Sequence, residues 1–542
     1  MPGEGATDRW HARSMTLTKK GMVAASQTLA AQAGAQCLAR GGSAVDAALT
    51  ANIALTVVEP MQCGVGGDLF ALVWRKGDKN PEGLNASGPA PRGLTVEKVR
   101  AAGYEAMPAA GILPVTVPGA VAGWQALHSK YGRRPWAELF APAIELAAEG
   151  FPVTEIIAGQ WAGARAKLEA DEYARGVFLP GGKAPEHGAV FRNPDLARTL
   201  RLLAEGGAEA FYRGPVGRAV LEECGRRGGV HTAEDLAGYQ PERVEPIATT
   251  YRGARVYEIP PNGIGITALL MLNLMERFEL SKMDPFSADA YHVKIEAQKL
   301  AYQDMVRYVG DPRFVRIPVD ELLSKSYAAG RAKLVDLQKA ACAFGPGRPP
   351  LEPRGDTIYL AAADREGTVV SLIQSLFSAF GSGVAVRGGG FHLHNRGVAF
   401  RLEEGRPNVL RPGKRPFHTI IPGAMQMGTR RIGFGIMGGL NQPQAHAQFV
   451  SWMADHGFHA QQALEAPRFV KYTFTGCDVR VESRVSEAVR GELARRGHEL
   501  EVVGAYSPGD MGGGQAVVCD DATGVKAGAS SPRKDGAAIP EP

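Results

Sequence analysis

The chain has 542 residues, 45% of them hydrophobic and 22% charged, a composition that excludes collagen-like, disordered and coiled-coil readings. Lys+Arg 61 against Asp+Glu 56 leaves a formal charge of +5, too little at this size to argue nucleic-acid or membrane binding. The length suits about two to four folding units, or one large layered α/β body.

Residues 1–20 are polar and read as a loose arm without the apolar core of a signal peptide. From Thr28 to Arg40 an Ala-rich run predicts a helix, stopped by Gly41-Gly42. Ser43-Ala44-Val45-Asp46 then has the form of a capping box, opening a second helix that is small and apolar nearly all round and therefore buried. Cys63-Gly64-Val65-Gly66-Gly67-Asp68 leads into a strand-like run, Leu69 to Trp74. Its glycines mark a place where backbone must approach something closely or turn sharply. Residues 118–150 predict two helices joined through Tyr131-Gly132-Arg133-Arg134-Pro135, and residues 286–308 predict another.

The sharpest break lies at 345–355, where prolines and glycines exclude helix interior and central strand and predict an exposed, extended connector. Beyond it Thr357 to Ala363 reads as a strand, Asp364-Arg365-Glu366-Gly367 as a turn, and Thr368 to Ser375 as the return strand. Six cysteines, at 37, 63, 224, 342, 477 and 519, show neither a C-x-x-C pair nor a zinc spacing. They are expected to be free thiols in a reducing compartment. No run of about 18 uninterrupted apolar residues predicts a membrane span. The expected location is the cytoplasm.

Most catalytic signatures are missing: there is no P-loop, no H-E-x-x-H and no G-x-S-x-G. Gly64-Val65-Gly66-Gly67 precedes a strand instead of joining a strand to a helix, which argues against a dinucleotide site. His392 and His394 read as same-face neighbours on a strand, not as metal ligands, and no metal or organic cofactor is expected. The informative residue is Thr357, after Asp356 and the connector. A threonine hydroxyl is a weak nucleophile unless a base activates it, and cleavage before Thr357 would supply one, its own α-amine. That amine titrates near 7.7–8.0, so a useful fraction is neutral at cytoplasmic pH. On the local text alone, an ordinary strand-start threonine is the competing reading.

The wider text resembles the γ-glutamyltransferase family of N-terminal nucleophile hydrolases from about residue 21 to 537. The matching segments include Gly21 to Gln27, Gly41 to Ala48, Val58-Glu59-Pro60, Cys63 to Asp68, Val117 to Val121, Gly355-Asp356-Thr357, Phe380 to Gly383, Gly438-Gly439 and Gly528 to Arg533. The resemblance implies a four-layer αββα sandwich and a proenzyme that cuts itself between Asp356 and Thr357. The products would be a large chain, 21–356 with its arm, and a small chain, 357–542. They would form a heterodimer acting on a small-molecule amide, with a dimer of such pairs left open. Thr357 would be nucleophile and base. Ser375 stands where the family has a second threonine that hydrogen-bonds the nucleophile. Gly438 and Gly439 match the pair whose amides form the oxyanion hole.

The departures fall in the substrate pocket. Ser87 stands where the family's carboxylate-binding arginine is expected, three residues before Ala90-Pro91. Phe377 replaces an asparagine; Arg396 and Ala399, in the run from Asn395, replace the Gln and Asp that grip the α-amine; His418-Thr419 replaces a serine pair. The implied activity is a threonine amidohydrolase or acyltransferase of the glutathione-hydrolase type, passing an acyl group from Thr357 to water or an amine. The alternative is an acylase or oxamate amidohydrolase-like amidase for donors with a carboxylate but no α-amine, with Arg396 as anion clamp. A binding protein of the same fold that never cleaves is the non-enzyme alternative.

Overall fold

The helices begin and end where the local chemistry directs. In the computed structural model, which describes residues 10–343 and 356–542, helix Thr28–Ala39 starts at Gln27, whose side chain accepts from the amides of Leu29 and Ala30. Gly41 takes φ +85°, and the Gly42 amide returns to the Cys37 carbonyl at 3.0 Å, closing the helix. Ser43 and Asp46 cap each other's backbone as a capping box, and all 15 residues of the helix they open, Ala44–Val58, are buried. Ala120–Tyr131, Ala141–Glu149 and Ala288–Tyr308 follow the predicted helical runs.

Two seven-stranded sheets form the centre. One runs Thr16–Thr18, Lys526–Ser530, Gly514–Asp520, Arg430–Ile436, Gly423–Met427, Ala254–Glu258, Ile247–Tyr251. The other runs Ala537–Pro540, Met22–Ala25, Asp356–Ala363, Val369–Phe377, Asp68–Trp74, Glu82–Ala86, Glu242–Val244. Each mixes strands from before and after residue 357, so the expected large and small chains interlock strand by strand.

Alternation along the strands builds the layers. From Asp356–Ala363, Tyr359 and Ala361 join Tyr257, Ala424 and Val517 of the opposite sheet in a core between the sheets. Ile358, Leu360 and Ala362 point the other way, into the core beneath Thr28–Ala39 and Ala44–Val58. Behind the opposite sheet, Val256, Ile432 and Phe434 pack on the helices Gly265–Met275, Ala288–Tyr308 and Asn441–Ala454. This is the αββα order. Both sheets are buried on two faces, which is why these strands read as continuous apolar runs.

Three expectations need comment. The described part of the N-terminal text is docked, not loose: Thr16–Thr18 pairs with Lys526–Ser530, and Trp10 packs against Phe286 and Phe458. An apolar ring and an edge strand outweigh the polar residues between them. The six free thiols are corrected as well: Cys342 and Cys477 form a disulfide, while Cys37, Cys63, Cys224 and Cys519 are free and buried. The connector 345–355 lies outside the described residues. Among the described residues, no helix is long and apolar enough to cross a membrane.

Candidate active site

Thr357 sits where a strand loses its register. Asp356 pairs with Phe377 and Ile358 with Gln374, so the ladder shifts at the threonine between them. Such a bulge re-aims a side chain and is common beside active sites. The Thr357 side chain is buried, and its Oγ1 donates to Ser375 Oγ at 3.2 Å. Ser375 Oγ also accepts the Phe377 amide at 2.7 Å. Phe377 holds φ +76°, a left-handed conformation rare for an aromatic residue and characteristic of functional sites.

On the other side of the same strand, Ser375 pairs with Asp68. The glycines before Asp68 are there for contact: a Cβ on Gly66 would lie 2.3 Å from the His392 carbonyl oxygen, and one on Gly67 2.7 Å from that of Ser375. Asp68 Oδ2 meets His418 Nε2 at 2.8 Å, His394 Nδ1 at 3.0 Å and Arg396 Nε at 3.3 Å, all fully buried. Burial by itself would raise the Asp68 pKa, but the facing His394 and His418 outweigh it and hold the carboxyl well below the usual carboxylate range. Burial and the charge of Arg396 push His418 down to about 3, so it is a neutral donor to Asp68 at neutral pH. Arg396 is lowered by burial to about 10 and remains a cation at neutral pH.

The guanidinium is held on three sides. Besides the Nε contact, Nη1 donates to Thr419 Oγ1 at 2.8 Å, and its carbon lies 4.5 Å from the Phe377 ring centroid. Nη2 is buried and has no hydrogen-bond partner among the described residues. A buried donor left unmade is costly, and a ligand oxygen would satisfy it.

The remaining predicted residues divide. Ser87 is buried and spent: its Oγ donates to Asn85 Oδ1 at 2.7 Å and accepts from Asn262 Nδ2 at 3.3 Å. Asn395 is also engaged elsewhere, accepting from the Ser378 amide and donating to the Ala109 carbonyl and Ser378 Oγ. Gly438 and Gly439, at φ +119° and +59°, precede helix Asn441–Ala454, and their carbonyls accept the amides of Asn441 and Gln442. Among the described residues neither glycine's own N–H is spent on a protein acceptor. A Cβ on Gly433 would face Val369, and one on Gly435 the Tyr359 ring. That progression carries the following residues toward the sheet end holding Thr357 and Ser375. Two unspent amides with a helix N-terminus behind them are the kind of group that can stabilise a developing oxyanion.

A histidine–glutamate cluster lies apart from the predicted site residues. His292, Glu296 and His498 bring ligand atoms within 4.8 Å of one another. However, His292 Nδ1 bonds His498 Nε2 at 2.8 Å, and Glu296 already holds the Lys299 ammonium at 2.7 Å. His292 and Glu296 stand on helix Ala288–Tyr308 in the outer helical layer, and His498 Nδ1 is buried without a hydrogen-bond partner among the described residues.

The sequence profile of the gamma-glutamyltranspeptidase family matches residues 30–541. The chain belongs to that family. The glutathione hydrolase-like YwrD proenzyme of Bacillus subtilis is 36% identical over 531 residues, covering 96% of this chain and 98% of that one. The oxamate amidohydrolase proenzyme of Klebsiella pneumoniae is 34% identical over 538 residues, covering 97% and 99%. A cephalosporin acylase from Bacillus halodurans has the same fold, with a TM-score of 0.92 at 44% identity over 100% of this chain and 99% of that one. This gamma-glutamyltranspeptidase-family protein is thus an enzyme, a hydrolase of the N-terminal nucleophile class, and its proenzyme relatives imply a working form made of processed chains. Asp68 and His394 are the pocket residues that sequence reasoning misses. Asp68 shows only as the end of a glycine run, and no spacing links it to 394, 396 or 418.

Proposed function

We propose that this hydrolase cuts itself before Thr357 and then transfers acyl groups that carry a carboxylate but no α-amine. Cleavage frees the Thr357 α-amine, which takes the proton from Oγ1 as that oxygen attacks the amide carbonyl of the donor. Gly438 and Gly439 amides receive the oxyanion, the amine product leaves with the proton, and water attacks the resulting ester to release the acid. Ser375 orients the nucleophile through the 3.2 Å hydrogen bond. An acceptor amine in place of water would give transfer.

One observation carries the substrate class: the buried, cationic Arg396 has Nη2 unpartnered among the described residues. A carboxylate on the acyl chain matches it in charge and geometry. The α-ammonium of a γ-glutamyl donor finds no such match, because Asp68 Oδ2 already faces three donors. The second reading, γ-glutamyl hydrolysis, rests on Asp68 Oδ1, whose hydrogen bond is to the Gly88 amide at 3.4 Å. Comparing kcat/KM for glutaryl- and γ-glutamyl-p-nitroanilide tests the choice. A glutaryl preference of about tenfold or more supports the proposal, since a lost buried charged hydrogen bond is worth that much. A tenfold γ-glutamyl preference overturns it in favour of Asp68.

A further inference from the structure

We propose that Phe377 is the positioning residue for Arg396: its ring fixes the guanidinium so that Nη2 faces the acyl carboxylate, and it does not itself bind substrate. The inference rests on the carboxylate-donor reading above and adds what makes a flexible side chain into a clamp.

An arginine has four side-chain torsions, and a buried one with an empty nitrogen gains by swinging toward any other acceptor. Here the Nε contact to Asp68 is long, at 3.3 Å, and Thr419 holds only Nη1. Neither fixes the tilt of the guanidinium plane. The Phe377 ring does, with the guanidinium carbon 4.5 Å from its centroid in a fully buried setting. A desolvated cation–π contact is at the strong end of its range.

The backbone shows how the ring gets there. Phe377 ends its strand at φ +76°, and its amide is tied to Ser375 Oγ, the same oxygen that receives the Thr357 hydroxyl. Hydroxyl partner and stacking ring therefore lie on one short, strained stretch of chain, with the nucleophile beside them on the neighbouring strand. This fixes the offset between the attacking oxygen and the cation that receives the far end of the acyl group. The pocket thus selects for chain length as well as charge.

The test measures kcat and KM for glutaryl- and pentanoyl-p-nitroanilide, two acyl chains of equal length with and without the carboxylate. Phe377→Leu keeps apolar bulk and removes the π face. It should raise the glutaryl KM by roughly three- to thirtyfold, the span of buried cation–π contacts, with kcat and the pentanoyl KM changed far less. Phe377→Tyr should restore the glutaryl KM. Phe377→trifluorophenylalanine, nearly isosteric but electron-poor, should move the glutaryl KM in the same direction as leucine and stands in should the leucine protein fail to fold. Equal losses for both donors, or an unchanged glutaryl KM in the leucine and fluorinated proteins, would overturn the proposal. A wild-type enzyme that does not favour glutaryl over pentanoyl overturns the carboxylate-donor reading itself, before any variant is made.

Discussion

Replacing Arg396 with glutamine removes the pocket's cation and both Nη donors while keeping a neutral donor near the position of Nε. Two effects compete. The substrate loses a charge-assisted partner that is itself fully buried, where breaking a buried pair costs roughly 3–5 kcal/mol and losing a hydrogen bond to a charged group about 1.5–3 kcal/mol. Against this, Asp68 is not orphaned, because His418 and His394 still face its Oδ2 at 2.8 and 3.0 Å. The fold is therefore expected to tolerate Arg396→Gln, and the loss should appear in catalysis. Taking about 3 kcal/mol for the substrate contact gives a fall of about 10² in kcat/KM for glutaryl-p-nitroanilide. Pentanoyl-p-nitroanilide offers the guanidinium no acceptor and should fall by no more than about threefold. The assay is steady-state kinetics on both donors, with the melting temperature as a control for folding. If both donors lose activity in proportion, Arg396 supports the pocket without reading the substrate, and the reasoning from its unpartnered nitrogen is refuted.

Two further outcomes follow from the same geometry. Cys342 precedes the expected cut and Cys477 follows it, so the disulfide should join the processed chains. The wild-type protein should run as one species near 57.5 kDa without reductant and as two with it, and Cys342→Ser as two under either condition; two wild-type bands without reductant would contradict this. Ser375→Ala removes the oxygen that receives both the Thr357 hydroxyl and the Phe377 amide. It should lower kcat by about 10–10², the worth of one to two buried hydrogen bonds, and an unchanged kcat would remove Ser375 from the mechanism.

Much of this architecture is legible in the text because its signals are local. Ser43 and Asp46 cap a helix across three residues, Gly41 takes the left-handed turn that ends its neighbour, and the strand from Thr357 alternates between two cores. The family segments add the candidate nucleophile, its hydroxyl partner and the glycine pair. What stays illegible depends on convergence. Asp68, His394, Arg396 and His418 come from segments up to 350 residues apart, brought to one oxygen by the strand register that sets Asp68 beside Ser375 and by the bridges of Gly66 to Leu393 and Gly263 to His418. Asn395 lies next to Arg396 in sequence, yet its side chain is tied to Ser378 and Ala109, because adjacent residues in a tight turn point apart. The separation of 135 positions from Cys342 to Cys477 carries no spacing signal at all.

The most direct test of the account is the intact mass of the small chain, taken from reduced enzyme quenched during turnover of a slow glutaryl amide. The account predicts a chain spanning Thr357 to Pro542, beginning Thr-Ile-Tyr-Leu, with a fraction heavier by one glutaryl group that maps to Thr357. Thr357→Ala should remain a single uncut chain and carry no adduct. An uncut wild-type chain that still turns over the amide, or an adduct on any other residue, would contradict it.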